Sequence, residues 1–132
     1  MSALRVLVVD DSTQDLMLFR FLLDDLAAQG FGAIRCDEAS DGQRALQLLH
    51  EHDYDLIVLD QQMMLGLNGA QVMEALPAVF TSGRRRPKVV AYSNCDVPEF
   101  QRRCVAQGAD VFAPKYLEAP QFASILRSLQ LA

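Results

Sequence analysis

The sequence has little cysteine, no surplus of basic charge and no long apolar run, and each shortage argues against a class of protein. The three cysteines, Cys36, Cys95 and Cys104, form no Cys-x-x-Cys pair and are odd in number. That argues against a zinc site or a disulfide framework and fits a reducing compartment. Twelve basic residues stand against seventeen acidic ones, a net charge of −5, so direct binding to nucleic acid through its phosphates is not expected. No apolar stretch approaches the length of a membrane span. The N-terminus lacks the basic segment and apolar run of a secretory signal. No repeat, low-complexity segment or interdomain linker is visible. The protein is expected to be soluble and cytoplasmic, with no membrane contact.

What is present is apolar and periodic. The 132 residues are 51% hydrophobic, the size and character of a single domain, residues 1–132, with a proper core. Leu4 to Val9 reads as a first strand, followed at once by Asp10-Asp11-Ser12. Leu16, Phe19, Leu23 and Leu26 then recur at helical spacing, with Ser12 or Thr13 as cap and Gly30 as stop. Ala33 to Cys36 reads as a weaker second strand. Asp41-Gly42 opens a helix that turns Ala45, Leu46, Leu48 and Leu49 inward and ends near His50. Leu56 to Leu59 is a short apolar run of the kind buried on both faces, and it ends in Asp60. A loop with Gly66 and Gly69 leads to a helix over about Ala70 to Phe80, and 82–87 is a polar connector. Lys88 to Tyr92 is a fourth strand ending at Ser93. Asp96 is placed to cap a helix with Pro98 in its first turn, which Gly108 stops. Asp110 to Ala113 is a short fifth strand ending at Pro114-Lys115, and Ala119 to Leu131 is a last helix with Phe122, Ile125, Leu126 and Leu129 as its stripe. This strict alternation predicts an α/β fold: (βα)5, a doubly wound five-stranded parallel sheet with helices on both faces.

A parallel sheet brings its strand ends to one side. Asp10 and Asp11, Asp60, Ser93 and Lys115 then share one cleft. Three carboxylates repel unless a cation joins them, and all-oxygen ligation suits a hard ion, Mg²⁺ above all. Metal, lysine and hydroxyl together suit a phosphoryl group, and Asp60, the acid most central to the sheet, is the natural nucleophile. Taken singly, each residue has a plainer role. Asp60 and Ser93 are then turn residues, Asp10-Asp11 a capping pair, Lys115 a solvated lysine and Phe112 a core residue. Met63 and Met64 read as loop packing, His50 and His52 as helix-end residues, and Arg84-Arg85-Arg86 as a solvated connector.

Along its whole length the chain resembles the receiver domains of bacterial two-component response regulators. The residues that carry the resemblance are Val8 to Ser12, Asp41-Gly42 with Ala45-Leu46, Asp55 to Asp60, Val89 to Ser93, and Gly108-Ala109-Asp110 with Phe112 and Lys115. The resemblance implies a flavodoxin-like fold and a phosphoacceptor, Asp60, loaded from a phosphohistidine on a sensor kinase or a phosphotransfer protein. It implies Mg²⁺ held by Asp11, Asp60 and the Gln62 backbone carbonyl, with Asp10 helping through water. Lys115 would pair with the phosphoryl oxygens, Ser93 would move toward them, and Phe112 would turn inward with it. The surface so switched would run from about Val97 to Leu131, covering the fourth helix, fifth strand and fifth helix. Such a chain is not an enzyme beyond its own phosphotransfer and autodephosphorylation. With no output domain in the sequence, it is expected to act on a separate effector, or on an output domain outside this chain if the chain is a piece of a larger regulator, and pairing of two copies through the switched surface is compatible with it.

Three departures from the family pattern bear on the site. The loop after Asp60 has no proline, and Gly69 lies one residue further along than usual, which leaves the direction of the Gln62 carbonyl open. Asn94 stands where the family usually has Ala or Gly and is expected to crowd the phosphoryl group. Tyr116 stands where the family usually has a cis-proline, so a trans bond or an altered loop is expected there. Gln62, Asn94, Cys95 and Tyr116 are accordingly expected to modulate the site. Beside an active receiver stands the alternative of a pseudo-receiver, a protein-interaction module without efficient phosphorylation. A flavin-binding protein is disfavoured because Asp10-Asp11 would repel a flavin phosphate. An aspartate-nucleophile hydrolase is disfavoured because no Asp-x-Asp follows the first strand.

Overall fold

The computed structural model describes residues 3–64, 66–81, 83–95 and 97–131. Five strands, β1 Leu4–Val9, β2 Ile34–Ala39, β3 Leu56–Asp60, β4 Lys88–Ser93 and β5 Val111–Pro114, alternate with five helices, α1 Thr13–Leu26, α2 Gly42–Glu51, α3 Gly69–Val79, α4 Pro98–Ala106 and α5 Ala119–Ser128. All pairings are parallel, in the order β2-β1-β3-β4-β5. The chain winds one way from β1 to β2 and the other way from β3 onward, so the direction reverses between β1 and β3. Open α/β sheets hold their ligands at such a reversal, outside the strand ends.

Alternation along the strands sorts the core into two layers. Val6, Val8, Val58 and Val90 face α1 and α5 and pack on Phe19, Leu26, Phe122 and Leu126. Leu7, Val9, Ile57 and Leu59 face the other way and pack with Ala45, Leu49, Val72 and Leu76. Phe19 joins α1 to the sheet and to α5, lying edge-on to Tyr92 at 5.9 Å and to Phe122 at 5.3 Å, and each such ring contact adds about 0.5–1.5 kcal/mol beyond its burial.

The helix ends have local causes. Ser12 caps α1, its hydroxyl accepting from the Asp15 N–H. A single π-type turn, Ala27–Phe31, follows α1, and Gly30 supplies its left-handed φ of +98°. Asn68 and Gln71 cap α3 reciprocally. Gln130, at φ +61°, ends α5, and the Leu131 N–H reaches back to the Leu126 carbonyl, so α5 stops at Ser128 rather than running to Leu131.

Other boundaries also shift from the sequence expectation. β2 spans Ile34–Ala39 instead of Ala33 to Cys36. It is an edge strand, so its outer polar residues Asp37 and Glu38 are tolerated and hide it from a hydropathy reading. β5 begins at Val111 because Asp110 closes the register with its side chain, Oδ2 accepting from Val89 N–H at 2.7 Å. The N-cap position of α4 falls on Val97, with no side-chain capping bond, and the expected cap, Asp96, lies outside the described residues.

Candidate functional site

The register of the sheet builds the cleft. Val9 pairs with Leu59, which sets Asp10 level with Asp60 on adjacent strands. Asp60 pairs with Tyr92 and Ser93 with Pro114, and Lys115 N–H donates to the Ser93 carbonyl. Asp10 and Asp60 are each 1% exposed, and Ser93 is fully buried. The strand ends thus converge as expected, with Asp11 at the exposed rim.

Lys115 is the centre of the charge arrangement. Its ammonium lies 2.9 Å from Asp10 Oδ2, 2.8 Å from Asp15 Oδ2 and 3.4 Å from Asp60 Oδ2. Burial lowers its pKa, but its contacts with Asp15 and Asp10 and the charges of Asp60 and Asp10 more than offset this, so the lysine is held above its ordinary range. Asp60 is raised as well, but here burial is the cause of the rise and not its opponent. Burial pushes its carboxyl from 3.8 up to about 6, and the charge of Asp10 adds to the rise. The Gln62 N–H and Lys115 oppose it.

The same acids fit a metal. Asp10, Asp11 and Asp60 each offer a carboxylate oxygen within 4.8 Å of the others. Asp10 Oδ2 is buried and, though ion-paired with Lys115, is the one side-chain oxygen among the described residues that is buried without a hydrogen bond. Asp10, Asp15 and Asp60 share a single ammonium and Asp11 adds a fourth acid at the rim, so the cluster carries more negative charge than Lys115 balances, which suits a hard divalent cation. One oxygen of each acid is held by backbone: Ser12 N–H on Asp10 Oδ1 at 2.9 Å, Gln62 N–H on Asp60 Oδ1 at 3.0 Å, and Met64 N–H on Asp11 Oδ2 at 2.8 Å.

The flanking residues are placed as follows. The Ser93 hydroxyl donates to Gln62 Oε1 at 2.9 Å and accepts from the Cys95 N–H at 3.1 Å. Asn94 is exposed beside it. Phe112 is half-buried and edge-on to Phe100 of α4 at 6.1 Å. Tyr116 follows Lys115 through a trans bond at φ +65°.

Sequence reasoning missed Asp15. Its oxygens pair with Lys115 and accept from the Tyr116 hydroxyl at 3.0 Å. Two readings need correction. Met63 packs inside, but Met64 is 87% exposed, because its N–H is turned to Asp11. The arginine run is tethered rather than merely solvated. Arg84 pairs with Asp53 at 3.1 Å and lies over the Phe80 ring, and Arg85 pairs with Asp55.

An open doubly wound sheet with an acid-lined, lysine-bearing cleft at its reversal defines a flavodoxin-like α/β domain with a site for a phosphoryl group. Residues 6–127 match the response regulator receiver domain, and the chain belongs to that family, the phosphoacceptor signalling modules of two-component systems. It is 34% identical to the virulence sensor protein BvgS of Bordetella bronchiseptica, over 89% of this chain and 9% of that protein. It is 28% identical to the sensory/regulatory protein RpfC of Xanthomonas campestris pv. campestris, over 98% of this chain and 17% of that protein. The chain thus spans only a small part of these relatives. Among solved structures, the receiver domain of the Francisella response regulator 1452 superposes with a TM-score of 0.74 at 26% identity, covering 95% of this chain and 94% of that one. The CheX-CheY-BeF3-Mg complex of Borrelia burgdorferi gives 0.79 at 22% identity, covering 98% and 90%. Among the described residues, no helix is long and apolar enough to cross a membrane.

Proposed function

We propose that Asp60 is the phosphoacceptor, in a single cytoplasmic domain charged by a phosphohistidine on a sensor kinase or phosphotransfer protein. The observation that carries this reading is the buried Asp60 carboxylate with an ammonium at 3.4 Å and two further acids gathered around it. An Asp60 oxygen bonds to phosphorus as the P–N bond of the donor breaks, and the imidazole leaves with that bond's electron pair. Mg²⁺, held by Asp11, Asp60 and the Gln62 carbonyl with Asp10 assisting, would neutralise the phosphoryl oxygens and let the anion approach the acids. Lys115 supplies the second positive charge. Ser93 would leave Gln62 to donate to the phosphoryl group, opening space for Phe112 to turn and alter the α4–β5–α5 surface that an effector reads. Water later returns the phosphoryl group as phosphate.

A second reading rests on a specific observation. Both groups that should meet the phosphoryl oxygens, the Ser93 hydroxyl and the Lys115 ammonium, already have protein partners in Gln62 and Asp15, which favours a pseudo-receiver that binds partners without efficient phosphorylation. Incubation with Mg²⁺ and acetyl phosphate, followed by intact mass measurement, separates the two. A gain of one phosphoryl group, lost in Asp60→Asn, supports the receiver. No gain together with no affinity for Mg²⁺ overturns it.

A further inference from the structure

Asp15 lies in the first turn of α1, outside the trio that gathers for a metal, yet it is 7% exposed and makes the shortest contact to the Lys115 ammonium. Its Oδ2 takes the lysine at 2.8 Å, and its Oδ1 takes the Tyr116 hydroxyl at 3.0 Å. One carboxylate therefore grips two consecutive residues of the β5–α5 loop. Tyr116 sits at φ +65°, a region that residues with a β-carbon enter at a cost and keep only when their surroundings hold them there. The hydrogen bond to Asp15 is such a hold, since more than half of Tyr116 is exposed. On its inner side the residue borders a cavity of about 190 Å³ lined also by Leu18, Leu22 and Leu117.

We propose that Asp15 is a positioning residue that latches Lys115 and Tyr116 to α1 in the unphosphorylated chain, so that phosphorylation of Asp60 must draw the lysine off it and free Tyr116. The proposal rests on the reading of Asp60 as phosphoacceptor. A lysine ammonium has three hydrogens, and its two shortest contacts, to Asp15 and Asp10, leave Asp60 at the longer 3.4 Å. A contact made in one state and lost in the other sets the equilibrium against the state that loses it. The Asp15 charge acts in the same direction, because it opposes an incoming anion. The latch therefore sets how readily the site accepts a phosphoryl group, and it ties that event to movement of an exposed aromatic side chain.

The test uses Mg²⁺ with fluoroberyllate as the phosphoryl mimic, followed by NMR of the lysine Nζ groups. The chain has two lysines, Lys88 and Lys115, so Lys88→Arg assigns both signals. Without ligand, Asp15→Asn is expected to shift the Lys115 signal and leave Lys88 in place. With ligand, it is expected to lower the half-saturating concentration by about threefold or more, as loss of one competing contact requires. Tyr116→Phe removes only the hydroxyl and keeps every charge. It should lower half-saturation by a smaller factor, and adding it to Asp15→Ala, which lacks both acceptor oxygens, should change nothing further, because the Tyr116 hydroxyl then has no Asp15 acceptor to lose. Equal or weaker binding in Asp15→Asn, with the wild type binding normally, overturns the latch alone. No binding in the wild type or in any variant overturns the phosphoacceptor reading, and the latch with it.

Discussion

Gly69 presses its bare Cα against Asp60: a β-carbon there would stand 2.6 Å from the Asp60 carbonyl oxygen. The first residue of α3 is thus docked on the end of β3, and the acid is fixed from behind by backbone that cannot swing aside. Gly69→Ala is expected to lower stability by about 1–3 kcal/mol, the usual cost of forcing a methyl into packed structure. It should also weaken Mg²⁺ binding by displacing Asp60. Urea unfolding and a Mg²⁺ titration measure the two effects, and a wild-type unfolding midpoint would contradict the contact.

Ser93 is held by Gln62, and the cost of that hold is measurable. Replacing Gln62 with Ala removes the acceptor of the Ser93 hydroxyl and leaves the Gln62 N–H on Asp60 intact. A neutral hydrogen bond contributes about 0.5–1.5 kcal/mol, so fluoroberyllate should bind Gln62→Ala about two- to tenfold more tightly than wild type. Weaker binding would mean that Gln62 assists the phosphoryl group instead of restraining Ser93.

The convergence of Asp10, Asp60, Ser93 and Lys115 was legible because it follows from strand ends in a parallel sheet, and apolar runs mark strand ends well. Asp15 was not. It sits three residues after Ser12, where a Ser-x-x-acid pattern reads as helix capping, and its N–H does bond the Ser12 hydroxyl. Nothing local reveals that its carboxylate reaches a lysine one hundred residues later. The tethers of Arg84 and Arg85 were hidden for the same reason, since their acids Asp53 and Asp55 precede β3 by sequence and meet the connector only in the folded sheet. The departure at Tyr116 was visible in the sequence, but its partner and its left-handed backbone were not.

Asp60 gives the site a pH dependence with a definite sign. Its pKa in the folded chain, about 6, is above the ordinary 3.8, so the folded state binds this proton more tightly than the unfolded one. The stability it contributes is fully present below the unfolded value and is lost as pH rises through about 6. Mg²⁺ requires the ionised carboxylate and gains over the same interval. Mg²⁺ affinity measured calorimetrically should therefore rise about tenfold between about pH 5 and pH 7.5 and level off above. Asp60→Asn should flatten that rise, and a flat wild-type profile would contradict the raised value.

Lys115 offers the sharpest comparison between metal and lysine as countercharges. It is buried against Asp10, Asp15 and Asp60, so Lys115→Met leaves three crowded acids with no cation. Removing one partner from a buried ion pair costs about 3–5 kcal/mol, and the variant should unfold at a correspondingly lower urea concentration in the absence of metal. Because two of these acids, Asp10 and Asp60, also face the metal position, Mg²⁺ should bind Lys115→Met at least as tightly as wild type. A ligand stabilises the state that binds it in proportion to its saturation. The gap in unfolding midpoint between variant and wild type should therefore narrow as Mg²⁺ is raised. If the gap is the same with and without Mg²⁺, the lysine and the metal do not share these carboxylates, and the charge balance drawn around Asp60 is wrong.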